Sequence, residues 1–183
     1  LQLSPEDEDP SCKGEAVAFI PEDEQRRWDT RFHAQGLRLT VNCDEALAGR
    51  WVALSRKSLR HIIDNLISNM LRYADADAEC RIALSRRGSR GLEMIFSNRA
   101  QDLPEEDVPL LFDRFFRVSH SRTRGRNAHS SGLGLSIVKQ LCHNSGGSVH
   151  AQKQDSTLDL IVRLPLQGRP RQQAGVRYTG VVI

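Results

Sequence analysis

No stretch of this 183-residue sequence holds more than a few consecutive apolar residues, far short of the roughly 20 that a membrane-spanning helix needs. Nor does a charged start followed by an apolar segment mark a secretory signal. The four cysteines, Cys12, Cys43, Cys80 and Cys142, form no Cys-x-x-Cys pair, and no histidine stands at zinc-ligand spacing from them. They read as reduced thiols, which sets aside a disulfide framework or a zinc module. A strong excess of one charge is also missing. The net charge of +3 comes from 26 basic and 23 acidic residues, and Arg169, Arg171 and Arg177 all follow the last strand-like segment. The folded body is therefore near neutral, which argues against a nucleic-acid binder.

What is present fits one globular domain with tails. Residues 1–13, with Glu6-Asp7-Glu8-Asp9 between prolines, read as a flexible acidic lead-in; residues 14–166 form the body; residues 167–183 are a basic tail tipped by Val181-Val182-Ile183. Within the body a weak strand is predicted at 16–19, then a helix from Glu22 to about Gln35 stopped by Gly36. Strands follow at 37–41 and 51–54. The clearest helix runs from about Lys57 to Tyr73, with Leu59, Ile62, Ile63, Leu66, Ile67, Met70 and Ala74 at three- and four-residue steps and Ser55 as N-cap. Alternating segments at 80–84 and 92–96 predict an antiparallel hairpin. A short helix and an aromatic-basic stretch occupy 104–117, and 118–131 is a long polar loop. A helix from Gly132 to about Asn144 leads through Gly146-Gly147 into a last hairpin, 148–152 and 158–164, ending at Pro165. The fold class is α/β (α+β): a two-layer sandwich, with helices on one face of a mixed, mostly antiparallel sheet.

Two local patterns carry chemistry. Asn65, Asn69 and Arg72 lie four and seven residues apart, so they fall within about 60° on one helix face. Asparagine is a poorer helix former than the Glu, Lys or Arg that usually fill a solvated face. Either the amides bond to neighbouring backbone, or an amide oxygen serves as a hard ligand to Mg²⁺ with Arg72 beside it for phosphates. The second pattern is Ser130-Ser131-Gly132-Leu133-Gly134-Leu135, which joins a glycine turn directly to a helix. Such a junction places unpaired N–H groups and a positive dipole end where an anion can sit. It also suits a helix that merely packs on a sheet. Arg114, Arg117, Arg122, Arg124 and Arg126 crowd the stretch before it.

Leu66–Tyr73 resembles the N box of sensor histidine kinases of two-component systems, and Leu111-Phe112-Asp113-Arg114-Phe115-Phe116-Arg117 resembles their F box. Ser131–Leu135 is similar to their G2 box. The resemblance covers roughly 37–165 and implies the Bergerat-type ATP-binding fold of the GHKL ATPase superfamily. By position it implies that Asn69 binds Mg²⁺ and that Asn65 orients the metal's water or the phosphoacceptor. Arg72 and Tyr73 would contact the phosphates or their surroundings. Phe112 and Phe115 would anchor an ATP lid spanning 118–131, Arg117 would reach the γ-phosphate, and the backbone of Ser131, Gly132, Leu133, Gly134 and Leu135 would hold the phosphates. His120 and His129 in the lid read as solvated.

The sequence departs from this pattern at the adenine-binding G1 box, usually Asp-x-Gly-x-Gly followed by an apolar residue and Pro. Asn98 stands at the Asp position, Ala100 and Asp102 at the two glycines, and Leu103-Pro104 follows. Asn in place of Asp costs on the order of 1 kcal/mol in affinity, and Ala100 about as much again if it must adopt positive φ. Weak ATP binding is the expectation. None of the six histidines has the acidic neighbour and Thr-Pro that mark the phosphorylated histidine of these kinases. The resemblance therefore implies a catalytic and ATP-binding domain alone, monomeric, cytoplasmic, from a parent in the bacterial inner membrane. It would use ATP and Mg²⁺, phosphorylate a histidine on a dimerisation domain, and pass the phosphoryl to a response regulator receiver domain. A nucleotide-poor regulatory module and an anti-sigma-factor-type serine kinase are the alternatives.

Overall fold

The computed structural model describes residues 15–16, 22–47, 50–118 and 132–167. The acidic lead-in, the loop over 119–131 and the basic tail from 168 lie outside the described residues.

Seven strands form one sheet, and its centre is the hairpin of β4 (Glu79–Arg87) and β5 (Gly91–Arg99) followed laterally by β7 (Thr157–Gln167). β2 (Arg38–Cys43) lies parallel to β4 on one side. On the other, β7 pairs antiparallel first with β6 (Ser148–Gln154) and then with the two-residue β3 (Trp51–Val52), which in turn pairs with β1 (Glu15–Ala16). Period-two burial explains the sheet's sidedness. Cys80, Ile82 and Leu84 of β4, Leu92, Met94 and Phe96 of β5, and Leu158, Leu160, Val162 and Leu164 of β7 all enter one core. Glu93 faces the opposite side and pairs with Arg163 at 2.7 Å.

Three helices cover the core. α1 (Glu22–His33) contributes Trp28 and Phe32, α2 (Arg56–Tyr73) contributes Ile62, Leu66, Ile67 and Met70, and α3 (Gly134–Asn144) contributes Leu135, Val138 and Cys142. α2 begins where predicted because Ser55 Oγ accepts the Ser58 N–H at 3.1 Å. Gly36 ends the α1 turn at φ 74°. The segment before the F box is a 3₁₀ helix, Glu105–Leu110.

One boundary is corrected. β7 does not stop at Pro165 but runs to Gln167, with Leu166 and Gln167 paired to Val52 and Trp51. Leu166 N–H donates toward β5, to Arg90 O at 2.7 Å, so the donor that Pro165 lacks would point the other way. That side is the gap where β6 has ended and β3 has not begun, which is where a strand tolerates proline. Among the described residues no helix is long and apolar enough to cross a membrane.

Candidate nucleotide site

A cleft of about 290 Å³ opens between the C-terminal half of α2, the chain from Leu111 to Val118, and the start of α3. It collects eight of the residues singled out in the sequence: Asn65, Asn69, Arg72 and Tyr73 from α2, Arg117, and Gly132, Gly134 and Leu135. Among the described residues no acidic side chain lines it, whereas two arginines do. α3 adds to this field. Its N-cap, Leu133, makes no side-chain capping bond, so among the described residues the positive end of the helix dipole faces the cleft without a capping side chain.

The two asparagines resolve differently. Asn65 Nδ2 donates to His61 O at 2.7 Å, which turns its Oδ1 toward α3. A Cβ placed on Gly134 would lie 2.6 Å from that oxygen, so the second glycine of the turn makes room for Asn65. Asn69 is 8% exposed, yet its Oδ1 accepts no hydrogen bond. An orphaned buried acceptor costs about 1–3 kcal/mol. Such a group fits a site whose partner is a ligand, and an amide oxygen suits Mg²⁺.

The F box and the glycine turn are stapled to each other. Phe115 N–H donates to Gly132 O at 3.0 Å, with Phe115 at φ 66° and Gly132 at φ 68°. A Cβ on Gly132 would meet the Phe115 backbone at 2.9 Å, so only glycine permits this approach. The residues that flank the predicted lid are thereby bonded to each other at one edge of the cleft. The Phe115 side chain is 70% exposed, so it is the Phe115 backbone that meets Gly132, and the left-handed φ turns the side chain outward. Phe116 lines the cleft instead, while Phe112 is buried in the core.

The residues at the G1 position lie apart from the cleft. Asn98 continues the inward row of β5, is 1% exposed, and carries the second orphaned oxygen, Oδ1. These two asparagines hold the only unpartnered buried side-chain polar atoms among the described residues. Ala100 and Leu103 are buried and Asp102 is exposed. Neither Ala100 nor Asp102 adopts positive φ. The cost that positive φ would carry at Ala100 therefore does not arise: the turn is rebuilt, with the Ala100 N–H donating to Ser156 O at 2.8 Å. Leu133 does not line the cleft, and Ser131, His120 and His129 lie outside the described residues. Ser68, Leu111, Phe116 and Val118 line it without having been anticipated. Ser68 could have been found, being three residues from Asn65 and four from Arg72 on the same helix face. The Phe115-Phe116 doublet offered no such signal.

Burial pushes the thiols of Cys80 and Cys142 up to about 11 and about 12, which removes them as nucleophiles.

The sequence of the histidine kinase-, DNA gyrase B- and HSP90-like ATPase family matches residues 55–168. Sensor protein VanSC of Enterococcus gallinarum is 33% identical over 109 residues, 60% of this chain and 29% of its own length. Signal transduction histidine-protein kinase BaeS of Escherichia coli (strain K12) is 30% identical over 139 residues, 75% of this chain and 28% of its own. The chain thus spans less than a third of these curated relatives. Among solved structures, the mycobacterial sensor histidine kinase MprB superposes with a TM-score of 0.66 at 20% identity, covering 80% of this chain and 93% of that one, which shows the shared fold.

Proposed function

This chain belongs to the family of histidine kinase-, DNA gyrase B- and HSP90-like ATPases, and from that premise we propose that its body, residues 14–166, is the ATP-binding catalytic domain of a two-component sensor histidine kinase. The orphaned Asn69 Oδ1 carries this reading, because it sits in a cleft lined by two arginines and facing the uncapped start of α3. That set suits a metal-bound polyphosphate. Mg²⁺ would be held by Asn69 Oδ1 and would neutralise phosphate charge. Among the described residues no cluster of three His, Cys, Asp or Glu side chains offers a second cation site.

In this reading Arg72 and the N–H groups around Gly134 and Leu135 hold the phosphates, and Asn65, fixed by His61 O, orients the group that attacks. Arg117 stands where charge spreads over the γ-phosphoryl as its bond to the leaving oxygen breaks and a bond to histidine nitrogen forms. The acceptor histidine belongs to a dimerisation domain, and the phosphoryl then passes to an aspartate of a response regulator. The parent protein is a sensor of the bacterial inner membrane with this domain in the cytoplasm. The relatives, named as sensors, sensor kinases or signal transduction histidine-protein kinases, favour neither a regulatory module nor an anti-sigma-factor-type serine kinase.

Calorimetric titration with Mg-ATP of the chain and of Asn69→Ala tests this. The variant is expected to lose at least about tenfold in affinity, equivalent to one charge-assisted contact. Equal binding by both proteins defeats the metal assignment. Labelled phosphate transferred from ATP to an added dimerisation domain tests the reaction itself.

A further inference from the structure

An open sheet must cover or blunt its edge strands, or else it offers them to another strand. β6 is blunted. Val149 and Ala151 pack on the core, so by alternation Lys153 points to that same face. Its Nζ donates to Leu103 O at 2.5 Å and to Gln101 O at 3.4 Å, which ties the chain beyond β5 to this strand. β2 has no such device. It ends the sheet, pairs with β4 residue for residue from Arg38 to Cys43 without a bulge, and holds no proline or lysine.

The printed order of its bonds shows which groups are free. Arg38 N–H donates to Ala78 O at 3.2 Å and Asp44 N–H to Leu84 O at 2.9 Å, so the even-numbered residues face β4. Leu39, Val41 and Cys43 therefore turn both N–H and C=O to the open edge, where no hydrogen bond meets them among the described residues. The free stretch is bounded. Before it, the Leu37 N–H is taken by Phe32 O at 3.0 Å; after it, the chain turns into a 3₁₀ helix, Glu45–Leu47.

Three free residues with Val41 at their centre select one antiparallel register with a second copy. Val41 meets Val41, and Leu39 meets Cys43, each pair exchanging both bonds for about six in all. A shift by two residues either way would set one of them against Leu37 or Glu45 instead. That register also fixes the side chains. On the solvent face Arg38 falls opposite Asp44 of the second copy, and Thr40 opposite Asn42. Arg38 and Asp44 are both exposed, and the Asp44 carboxylate is already oriented by the Ala46 N–H at 2.9 Å and the Arg86 N–H at 3.4 Å. Opposite charges directly across a strand pair favour it. On the other face Leu39 and Val41, which pack against the core, would meet their counterparts and lengthen it.

We propose that β2 is an interaction edge for a second copy of this chain, joined antiparallel about a two-fold axis at Val41, with Arg38 and Asp44 paired at each end. No residue of β2 lines the cleft, so both clefts stay open and the pairing is independent of the nucleotide reading. An edge of six residues buries less than the roughly 1,200 Å² of a stable complex. The result is a weak dimer in place of the expected monomer.

Sedimentation equilibrium of the whole chain from about 10 µM to about 1 mM tests this, with amide hydrogen exchange by NMR at both ends of the range. The mass is expected to rise from monomer toward dimer. The amides of Leu39, Val41 and Cys43 should exchange about fivefold or more slowly at the high concentration, while those of Arg38, Thr40 and Asn42, bonded to β4, stay protected throughout. Val41→Pro removes the donor at the axis, which bonds nothing in the single chain, and Arg38→Glu sets two carboxylates against each other. Each should weaken association at least about tenfold, and Arg38→Glu should leave Mg-ATP affinity unchanged. If Val41→Pro fails to fold, the exchange data and Arg38→Glu decide. A chain that is monomeric at about 1 mM overturns the proposal. So does a dimer whose Leu39, Val41 and Cys43 amides exchange as fast as in the monomer, or one that Arg38→Glu does not weaken.

Discussion

Gly132 and Gly134 stand two residues apart in one turn, and the same change to alanine is expected to act on them in different ways. Gly134 opens α3 and its φ is not positive, so alanine there should favour the helix by up to about 1 kcal/mol. Its new methyl would lie 2.6 Å from Asn65 Oδ1, which is the end of a side chain and can move. Moving it breaks the Asn65–His61 bond of 2.7 Å, about 1 kcal/mol, and adds an off-rotamer cost of about 1 kcal/mol. The net is a loss of about 1 kcal/mol, so Tm should fall by no more than a few degrees. Mg-ATP affinity should nevertheless fall at least about tenfold, because Asn65 is displaced into the cleft. At Gly132 the clash is with backbone, the Phe115 Cα and carbonyl carbon at 2.9 Å, and φ 68° adds about 1–2 kcal/mol for a residue with a Cβ. Nothing there can yield cheaply. Gly132→Ala should therefore cost about 2 kcal/mol or more and lower Tm clearly. Differential scanning calorimetry and nucleotide titration of both variants decide the matter. If Gly134→Ala binds Mg-ATP like wild type, or if the two variants lose the same stability, the steric account of this turn is wrong.

Asn69→Ala removes an orphaned buried oxygen, so the ligand-free protein is expected to be as stable as wild type or more so by up to about 1 kcal/mol; a clear drop in Tm would show that the amide has a structural role instead. The pKa of Cys142, pushed up to about 12 by burial, leaves about one thiolate in ten thousand at pH 8. Iodoacetamide followed by peptide mass mapping should therefore find Cys142 and Cys80 protected in the native chain and Cys43, which is exposed, labelled; native labelling of Cys142 would refute this. Burial chiefly, with Arg163 adding, lowers the His150 pKa in the folded state. Its contribution to stability is then present above about pH 6.5, the ordinary value, and is lost as pH falls through the folded value. His150→Gln should flatten that acid limb of the Tm profile, and an unchanged slope would assign the limb to other groups.

Much of the fold was legible because its signals are local. The apolar stripe of α2, the cap at Ser55 and the alternation in β4 and β5 each depend on residues within one element, and each element formed where those residues stand. The parallel pairing of β2 with β4 was not legible, since it joins residues about 40 positions apart. Pro165 misled for a related reason: its missing donor matters only if a neighbour is there to need it, and β6 and β3 leave that place empty. In the site, helical spacing alone brought Asn65, Asn69 and Arg72 onto one face. That their face meets α3, with Asn65 fitted against Gly134, depended on packing.

The linear order of residues was enough to determine the helix and strand periodicities, the polar strip on α2 and the glycine turn that starts α3, because each arises from backbone geometry over a few residues. Tertiary structure alone decided which of two phenylalanines faces the cleft, which asparagine oxygens lie buried without a donor, and that β2 lies at the open edge of the sheet. Those outcomes depend on how distant segments exclude water from one another and leave or supply hydrogen-bond partners, and no local pattern encodes that.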